Sequence, residues 1–251
     1  MLQVREVKAK SILNKSKVYT YCLNPYTGCE HNCRYCYARL FMRRYSGHKE
    51  AWGEFVDVKI NAPSLLHQQL QRAKRGTVWI SSVCDPYQPL EARYKLTRAC
   101  LQHLAAHQFP VVIQTKSNLV LRDIDILLQF YDIEVGFTIP TDMERIAGLF
   151  EPKAPPLTER LKALEKIHKA GIKTFVFIGP LLPSNPERLV SLIAGKADYV
   201  YLDKMNYMPT ILNFYRQHHL EEAATATFFH RQKEKFVAAF KKSKIKTELL
   251  Y

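Results

Sequence analysis

From residue 76 onward, short apolar runs rich in β-branched and aromatic residues alternate with longer stretches whose apolar residues recur every three or four positions. GTVWISSV (76–83) reads as a buried strand, and TRACLQHLAAHQ (97–108) as a helix with Ala99, Leu101, Leu104 and Ala105 on its apolar face. VVIQTKS (111–117) predicts the next strand, followed by RDIDILLQFY (122–131) as a helix with acids in its first turn. IEVGFTI (133–139) is a third strand, and LTERLKALEKIHKAG (157–171) a helix closed by Gly171. KTFVFIGPLL (173–182) and DYVYLDKM (198–205) predict two more strands around a helix over 186–194. Upstream, YTYCLNP (19–25) supplies a first strand and 33–45 a first helix. Six strands with helical crossovers predict an α/β fold built on a parallel sheet or barrel. EFVDVKI (54–60) is β-like but falls outside this rhythm and reads as an accessory strand. FFHRQKEKFVAAFKKSKIK (228–246) reads as a basic amphipathic helix that buries Phe236, Ala239 and Phe240. No repeat or linker interrupts the chain, so one domain is the economical reading.

Polar residues gather where these strands end: Ser81, Ser82, Cys84 and Asp85, then Thr115, Lys116, Ser117 and Asn118, then Thr138. Ligands of parallel α/β folds bind at the carboxyl ends of the strands, which makes these residues candidates for a shared site. The candidate with the most specific chemistry lies earlier, in NPYTGCEHNCRYCYAR (24–39), where Cys29, Cys33 and Cys36 fall within eight residues. A closed zinc site takes four ligands, and the fourth here would be His31, Cys22, His48 or something remote, none at a zinc-finger spacing. A cubane iron–sulfur cluster on three thiolates leaves one iron free for another ligand. Three close thiols without a fourth suit that open iron. Cys22 and Cys100 read as structural.

Composition narrows the setting. The chain has 251 residues, 47% hydrophobic and 24% charged, which is ordinary for a globular protein large enough to bury a substantial core. No apolar run reaches membrane-spanning length, and the charged N-terminus MLQVREVKAKSILNKSK has no apolar signal segment, so a cytoplasmic location with reduced thiols is expected. Cysteine clusters in such a compartment bind metal or do chemistry. The net charge of +14 is concentrated at the ends: residues 1–50 carry ten Lys/Arg against three acids, and residues 231–251 seven against two. A basic bias at both ends points to a polyanionic partner such as nucleic acid.

The spacing CX3CX2C in GCEHNCRYC resembles the signature of the radical S-adenosylmethionine (SAM) superfamily. NPYTGCEHNCRYCYAR, DPYQPLE followed by LTR, TKS with LRDIDIL, and FEP before a helix further resemble its spore photoproduct lyase-like branch, from about residue 20 to 190. The resemblance implies a partial (β/α)6 barrel open at one side. Its core would run from about 19 to 206, with a basic helical extension over 207–251. It implies that Cys29, Cys33 and Cys36 hold a [4Fe–4S] cluster whose fourth iron takes SAM. Reductive cleavage of SAM would then give a 5′-deoxyadenosyl radical that abstracts hydrogen from substrate.

The same resemblance assigns further residues. Tyr35 matches an aromatic position beside the adenine, Lys116 and Thr138 match strand-end SAM contacts, and Ser82 and Asp85 end the strand that receives the SAM ammonium group. A lysine at 116 also suits the carboxylate of SAM. Spore photoproduct lyases return hydrogen to the product radical from a strand-end cysteine, and that position falls here on Ser82. Cys84, two residues on, faces the same side of a regular strand and is the candidate hydrogen donor, with Tyr37 as a candidate relay. The expected partners are SAM, a reductant such as flavodoxin or ferredoxin, and a nucleic acid, with lyase or DNA-repair chemistry as the leading reading. A peptide or small metabolite as substrate, and a non-catalytic metal-binding module that grips nucleic acid, are the alternatives.

Overall fold

The computed structural model describes residues 2–250, apart from the side chains at 43 and 44. In chain order the first half contains β1 (Gln3–Val7), β2 (Leu13–Lys15), β3 (Tyr21–Leu23), β4 (Tyr26–Thr27), α1 (Met42–Ser46), β5 (Phe55–Lys59), α2 (Ala62–Leu70), β6 (Val78–Ile80), α3 (Glu91–Tyr94), α4 (Leu96–Ala106), β7 (Val111–Thr115) and α5 (Ile124–Leu127). The second half adds β8 (Ile133–Thr138), α6 (Glu144–Phe150), α7 (Leu157–Lys169), β9 (Lys173–Ile178), α8 (Pro186–Ile193), β10 (Tyr199–Leu202), α9 (Met208–Gln217), α10 (Ala226–Ser243) and β11 (Lys246–Leu249). Among the described residues no helix is long and apolar enough to cross a membrane.

The main sheet has the order β11-β10-β9-β8-β7-β6-β3-β2. The six strands expected from the periodicity, β3 and β6 to β10, are consecutive and parallel. They form the open α/β barrel, with β2 and β11 as its two edges rather than a bonded pair. The accessory strand is β5, which pairs with β1 and β4 in a separate three-stranded sheet.

Alternation along the strands divides the interior in two. Val111, Ile113, Val135, Phe137, Val176, Ile178, Val200 and Leu202 join the main core beneath the helices. Their neighbours Val112, Phe175 and Tyr199 face inward and form a second cluster with Tyr19, Trp79, Phe177 and Tyr201. Register aligns these residues across the barrel, with Gly136 opposite Phe175, Phe175 opposite Tyr199, and Phe177 opposite Tyr201. Gly136 is required by this layer, because a Cβ there would stand 2.1 Å from the Phe175 ring. The concave face is therefore aromatic. Tyr19, in the turn between β2 and β3, lines the same cavities as Tyr201 on β10 and Glu248 on β11, so the two edges of the sheet face each other across the opening.

Three expected helices differ from the structure. The segment 33–45 remains a loop through Cys36, then forms a 3-10 turn (Tyr37–Leu40) and the short α1. The segment 122–131 is helical only over the four residues of α5, which follow a 3-10 turn (Asn118–Asp123) that begins upstream of it. The turn is held by Ser117, whose side chain caps Leu119 N, and by the buried Asp123, which pairs with Arg98 and Arg122. The basic helix ends at Ser243: Lys244 adopts φ 56°, and Lys246–Leu249 becomes β11, a seventh parallel strand beside β10. The helices α2, α3 and α6 lie outside the expected set, being short or interrupted by Pro and Gly, whereas α9 falls within the expected helical extension over 207–251.

The close approach at Gly136 gives a stability test. Gly136→Ala should overpack the aromatic layer and lower stability by about 1–3 kcal/mol. Urea unfolding checks this: an unchanged midpoint would mean that Phe175 moves aside at no cost.

Candidate active site

The thiol loop owes its shape to backbone devices more than to periodicity. Gly28 has φ 93°, and a Cβ there would meet the Phe55 carbonyl oxygen at 2.3 Å, so only glycine lets the loop pass so close to β5. Asn32 is also left-handed, with φ 52°. Turn hydrogen bonds run from Asn32 N to Cys29 O and from Cys36 N to Cys33 O, and Arg34 N donates to Phe150 O at 2.8 Å, which ties the loop to the end of α6. Cys29 and Cys33 are buried, Cys36 is half-buried, and none is in a disulfide. Burial pushes all three thiols up, Cys33 to about 12, although Lys116 pulls against this at Cys33 and Cys36.

The strand-end residues are held by a hub that the sequence reading did not assign. Glu151, the acid of FEP, is fully buried. Its carboxylate takes Arg160 Nη1 at 2.6 Å, Lys116 Nζ at 3.7 Å and the Tyr35 hydroxyl. Arg160, on α7, is itself buried and also donates to Thr138 O and Pro155 O. Burial would raise Glu151, but Arg160 and then Lys116 bring its carboxyl below the ordinary value. Lys116 is the converse: burial would lower it, yet Cys33 and Glu151 hold it above the ordinary lysine value. It also lies over the Tyr35 ring, 5.7 Å from the centroid.

Asp85 is occupied by protein partners. It accepts from Thr115 Oγ1 at 2.7 Å, Lys116 N at 2.8 Å and Tyr87 N at 2.9 Å, and His31 Nδ1 stands 3.4 Å away. It therefore clamps the ends of β6 and β7 to the thiol loop. Burial pushes it up, but His31, followed by Thr115 and Lys116, brings it down to about 2. His31 is buried with neither ring nitrogen in a hydrogen bond, so at 3.4 Å it approaches Asp85 without bonding to it.

Strand β6 ends at Ile80, and Ser81 turns with φ 62°, so Ser82 and Cys84 do not continue a regular strand as the spacing argument assumed. Both nevertheless line the cavity. Ser82 Oγ is held by the Asn24 side chain at 3.3 Å, and its carbonyl accepts from the Tyr37 hydroxyl. Cys84 Sγ donates to Tyr26 O at 3.5 Å, and burial pushes its thiol up to about 12. Thr138 Oγ1 accepts from Gln114 Nε2 at 3.0 Å.

One cavity of about 590 Å³ is lined by Cys29, Cys33, Tyr35, Cys36, Tyr37, Ser82, Cys84, Asp85, Lys116 and Thr138, together with the strand-end residues Ser81 and Thr115, whereas the strand-end candidates Ser117 and Asn118 lie outside it, beside a separate pocket. It extends from the thiol loop to the aromatic inner face at Trp79, Phe175, Phe177 and Tyr201. Asp203, Tyr207 and Glu248 also line it and were not foreseen, since they lie in no motif. Glu151 and Arg160 do not line it, and an acid between Phe150 and Pro152 carries no sign of burial by itself, since a glutamate is fully buried only where a partner such as Arg160 meets it.

The donor set fits an iron–sulfur cluster. Three free thiols line one cavity, and burial outweighs the pull of Lys116 and favours their protonated form, so a multivalent cation would stabilise them as thiolates. No group of three or more His, Cys, Asp or Glu among the described residues is arranged around a single ion. A cubane asks for a different arrangement, one thiolate on each of three irons.

The radical SAM sequence pattern matches residues 23–194. The chain belongs to the radical SAM superfamily. This radical SAM protein is 34% identical over 209 residues to an uncharacterized protein of Methanocaldococcus jannaschii, covering 82% of this chain and 78% of that one. It is 32% identical over 189 residues to an uncharacterized protein of Mycobacterium tuberculosis, of which it spans 56%. Among solved structures it is similar to a variant of spore photoproduct lyase with dinucleoside spore photoproduct, at TM-score 0.72 and 14% identity over 100% of this chain and 81% of that one. Another variant of that lyase contains AdoMet, the same molecule as SAM. Streptococcus suis SuiB bound to its precursor peptide SuiA is similar at TM-score 0.64 and 14% identity, over 92% of this chain and 48% of that one. At such identities the likeness is one of fold. Membership implies a [4Fe–4S] cluster and SAM as the cofactors of this enzyme.

The Asp85 clamp has a pH signature. Its folded value near 2 lies below the unfolded value near 3.8, so its stabilisation is complete above about pH 4 and is lost as pH falls through 2. Asp85→Asn should lower stability at neutral pH by about 2 kcal/mol and flatten the acid limb of a stability–pH curve. Urea titrations of the cofactor-free protein across pH 2–6 measure both, and parallel curves for the two proteins would remove Asp85 as the clamp.

Proposed function

We propose that this radical SAM enzyme acts on a nucleic acid or nucleotide, with lyase chemistry on a modified base as in photoproduct repair. The observation that carries the reading is the single cavity that joins the three thiols to an aromatic inner face and opens between the sheet edges. When bound at Cys29, Cys33 and Cys36, the cluster and SAM supply the one-electron chemistry that ends in removal of a hydrogen atom from substrate. The chain's own residues orient and exclude. Lys116, beside the thiols, offers a charged donor to a carboxylate, and Tyr35, fixed through Glu151, offers a flat face beside it. Trp79, Phe175, Phe177 and Tyr201 suit a planar base drawn out of its strand.

Charge on the two edges supports a phosphate backbone. Lys15 on β2 pairs with Tyr21 at the start of β3, and Lys246 on β11 pairs with Tyr199 at the start of β10. Lys15, Lys17, Lys244 and Lys246 are exposed and flank the opening at the end remote from the thiols. Phosphates held there would position a strand without reading its sequence, while one base reaches inward. Lys241 and Lys242, in the last turn of α10, directly precede Lys244 and Lys246 in the chain.

Cys84 is the donor in this reading. Its S–H bond breaks homolytically as a C–H bond forms on the product radical, and the sulfur radical left behind lies in the same cavity as Tyr37. A peptide is the second reading: Asp203 and Glu248 line the cavity and would suit a basic side chain, and SuiB, a fold neighbour, binds a peptide.

The test begins with anaerobic reconstitution, reduction and chromatography for 5′-deoxyadenosine, with and without ultraviolet-irradiated DNA. Cleavage should depend on Cys33 and rise with damaged DNA. Cleavage that depends on Cys33 but ignores nucleic acid would move the substrate to the peptide class. Cys84→Ala should keep SAM cleavage and lose repaired product. Lys244→Glu with Lys246→Glu should lower the salt slope of DNA binding by about 2, one for each phosphate that is no longer neutralised. An unchanged slope would place the backbone elsewhere.

A further inference from the structure

A row of aromatic rings leaves the cavity and reaches solvent. Tyr207, at the start of α9, and Tyr37 both line the cavity, and their rings stack at 6.3 Å with an interplanar angle of 20°. Tyr37 is 5.8 Å from Phe41, and Phe41 is 6.3 Å from Tyr45 on α1. Exposure is high at both ends of the row, 46% at Tyr207 and 77% at Tyr45, and Leu40 beside it is 45% exposed. The two middle rings, Tyr37 and Phe41, are half-buried. A solvated tyrosine such as Tyr45 gains nothing for the fold and is a cost in solubility unless it meets a partner. The segment is also basic: residues 36–49 contain Arg39, Arg43, Arg44 and Lys49 and no acid. Aromatic faces interleaved with cations are the means by which proteins hold strands whose bases are free to stack.

We infer that the row Tyr207–Tyr37–Phe41–Tyr45 is a stacking platform for unpaired nucleobases next to the reacting base, so that the substrate is a single-stranded or locally unpaired nucleic acid. This rests on the nucleic-acid reading above and adds a structural class to it. In a duplex the base faces are buried against one another and only edges and backbone are offered. The exposed rings at the two ends of the row, Tyr45 and Tyr207, therefore favour strands with open bases. The platform lies at the thiol end of the opening and the exposed lysines of the two edges at the other end. A strand crossing the opening would leave its phosphates on Lys15, Lys17, Lys244 and Lys246 and its bases on the rings. The sequence-tolerant nature of stacking makes DNA and RNA equally suited.

Tyr45 is the position to test, since it touches neither the thiols nor the cavity. Binding of a short labelled oligothymidine, its RNA counterpart and a fully paired duplex would be followed by fluorescence anisotropy at one salt concentration, with the full-length protein. The wild type should prefer the single strands. Tyr45→Ala should weaken single-strand binding about tenfold, the loss of one stacked base, while Tyr45→Phe keeps it and duplex binding does not change. Circular dichroism of each variant guards against misfolding. Single-strand binding that survives Tyr45→Ala but falls with Lys244→Glu would overturn the platform and leave the nucleic-acid reading in place. A wild type that prefers duplex would overturn the inference of unpaired bases. No binding of any nucleic acid would remove the nucleic-acid reading itself, and the platform with it.

Discussion

The carboxylate of Glu151 sets the terms for everything around the cavity. An ionised acid taken wholly out of water costs several kcal/mol unless charge is brought to it. Here the charge comes from Arg160 on α7 and Lys116 at the end of β7, with a hydroxyl from Tyr35 in the thiol loop. Segments far apart in sequence are thereby drawn to one point, because leaving any of them away would strand a charge. Asp85 does the same on the other side, binding the ends of β6 and β7 with His31 from the thiol loop. The loop itself has little regular structure, and it is these two buried acids, together with the close approach at Gly28, that give three thiols a fixed place.

Incomplete closure of the sheet supplies the other constraint. A closed barrel fills its interior with its own side chains, whereas this one ends in β2 and β11 and keeps an aromatic concave face beside an opening. The room for Phe175 comes from Gly136 on the adjacent strand, so a strand interior that would be stronger with a side chain gives it up to the cavity. Chemistry at one end and access at the side follow from the same topology: the polar residues end the strands, and the aromatic residues lie below them.

The parallel strands were legible because each is a short apolar run with alternating register, and the strand-end candidates were legible because a parallel sheet delivers all such ends to one side. Periodicity failed where buried ion pairs decide the backbone. Asp123, buried with Arg98 and Arg122, sits where a 3-10 turn passes into the short α5, and a sequence pattern that counts apolar positions cannot see it. Ser82 and Cys84 reached the cavity for a reason other than the one given, since the left-handed Ser81 ends the strand before them. Glu151 was in plain view within FEP but had no role until Arg160, nine residues on, was found buried against it.

Charge was legible in amount and not in place. The excess at the two chain ends reads as one basic rim, but in three dimensions it divides between the two ends of the opening. Residues 241–246 reach the strand starts because the helix stops at Ser243 and the chain turns into β11. Residues 36–49 remain at the thiol end because they follow Cys36 directly. The lysines at one end stand on exposed strand edges, and the cations at the other are interleaved along the chain with the ring row Tyr37, Phe41 and Tyr45. On the proposed nucleic-acid reading, two basic regions with different companions would do different work: edge lysines would neutralise phosphates, and a row of rings would take the bases that phosphates carry.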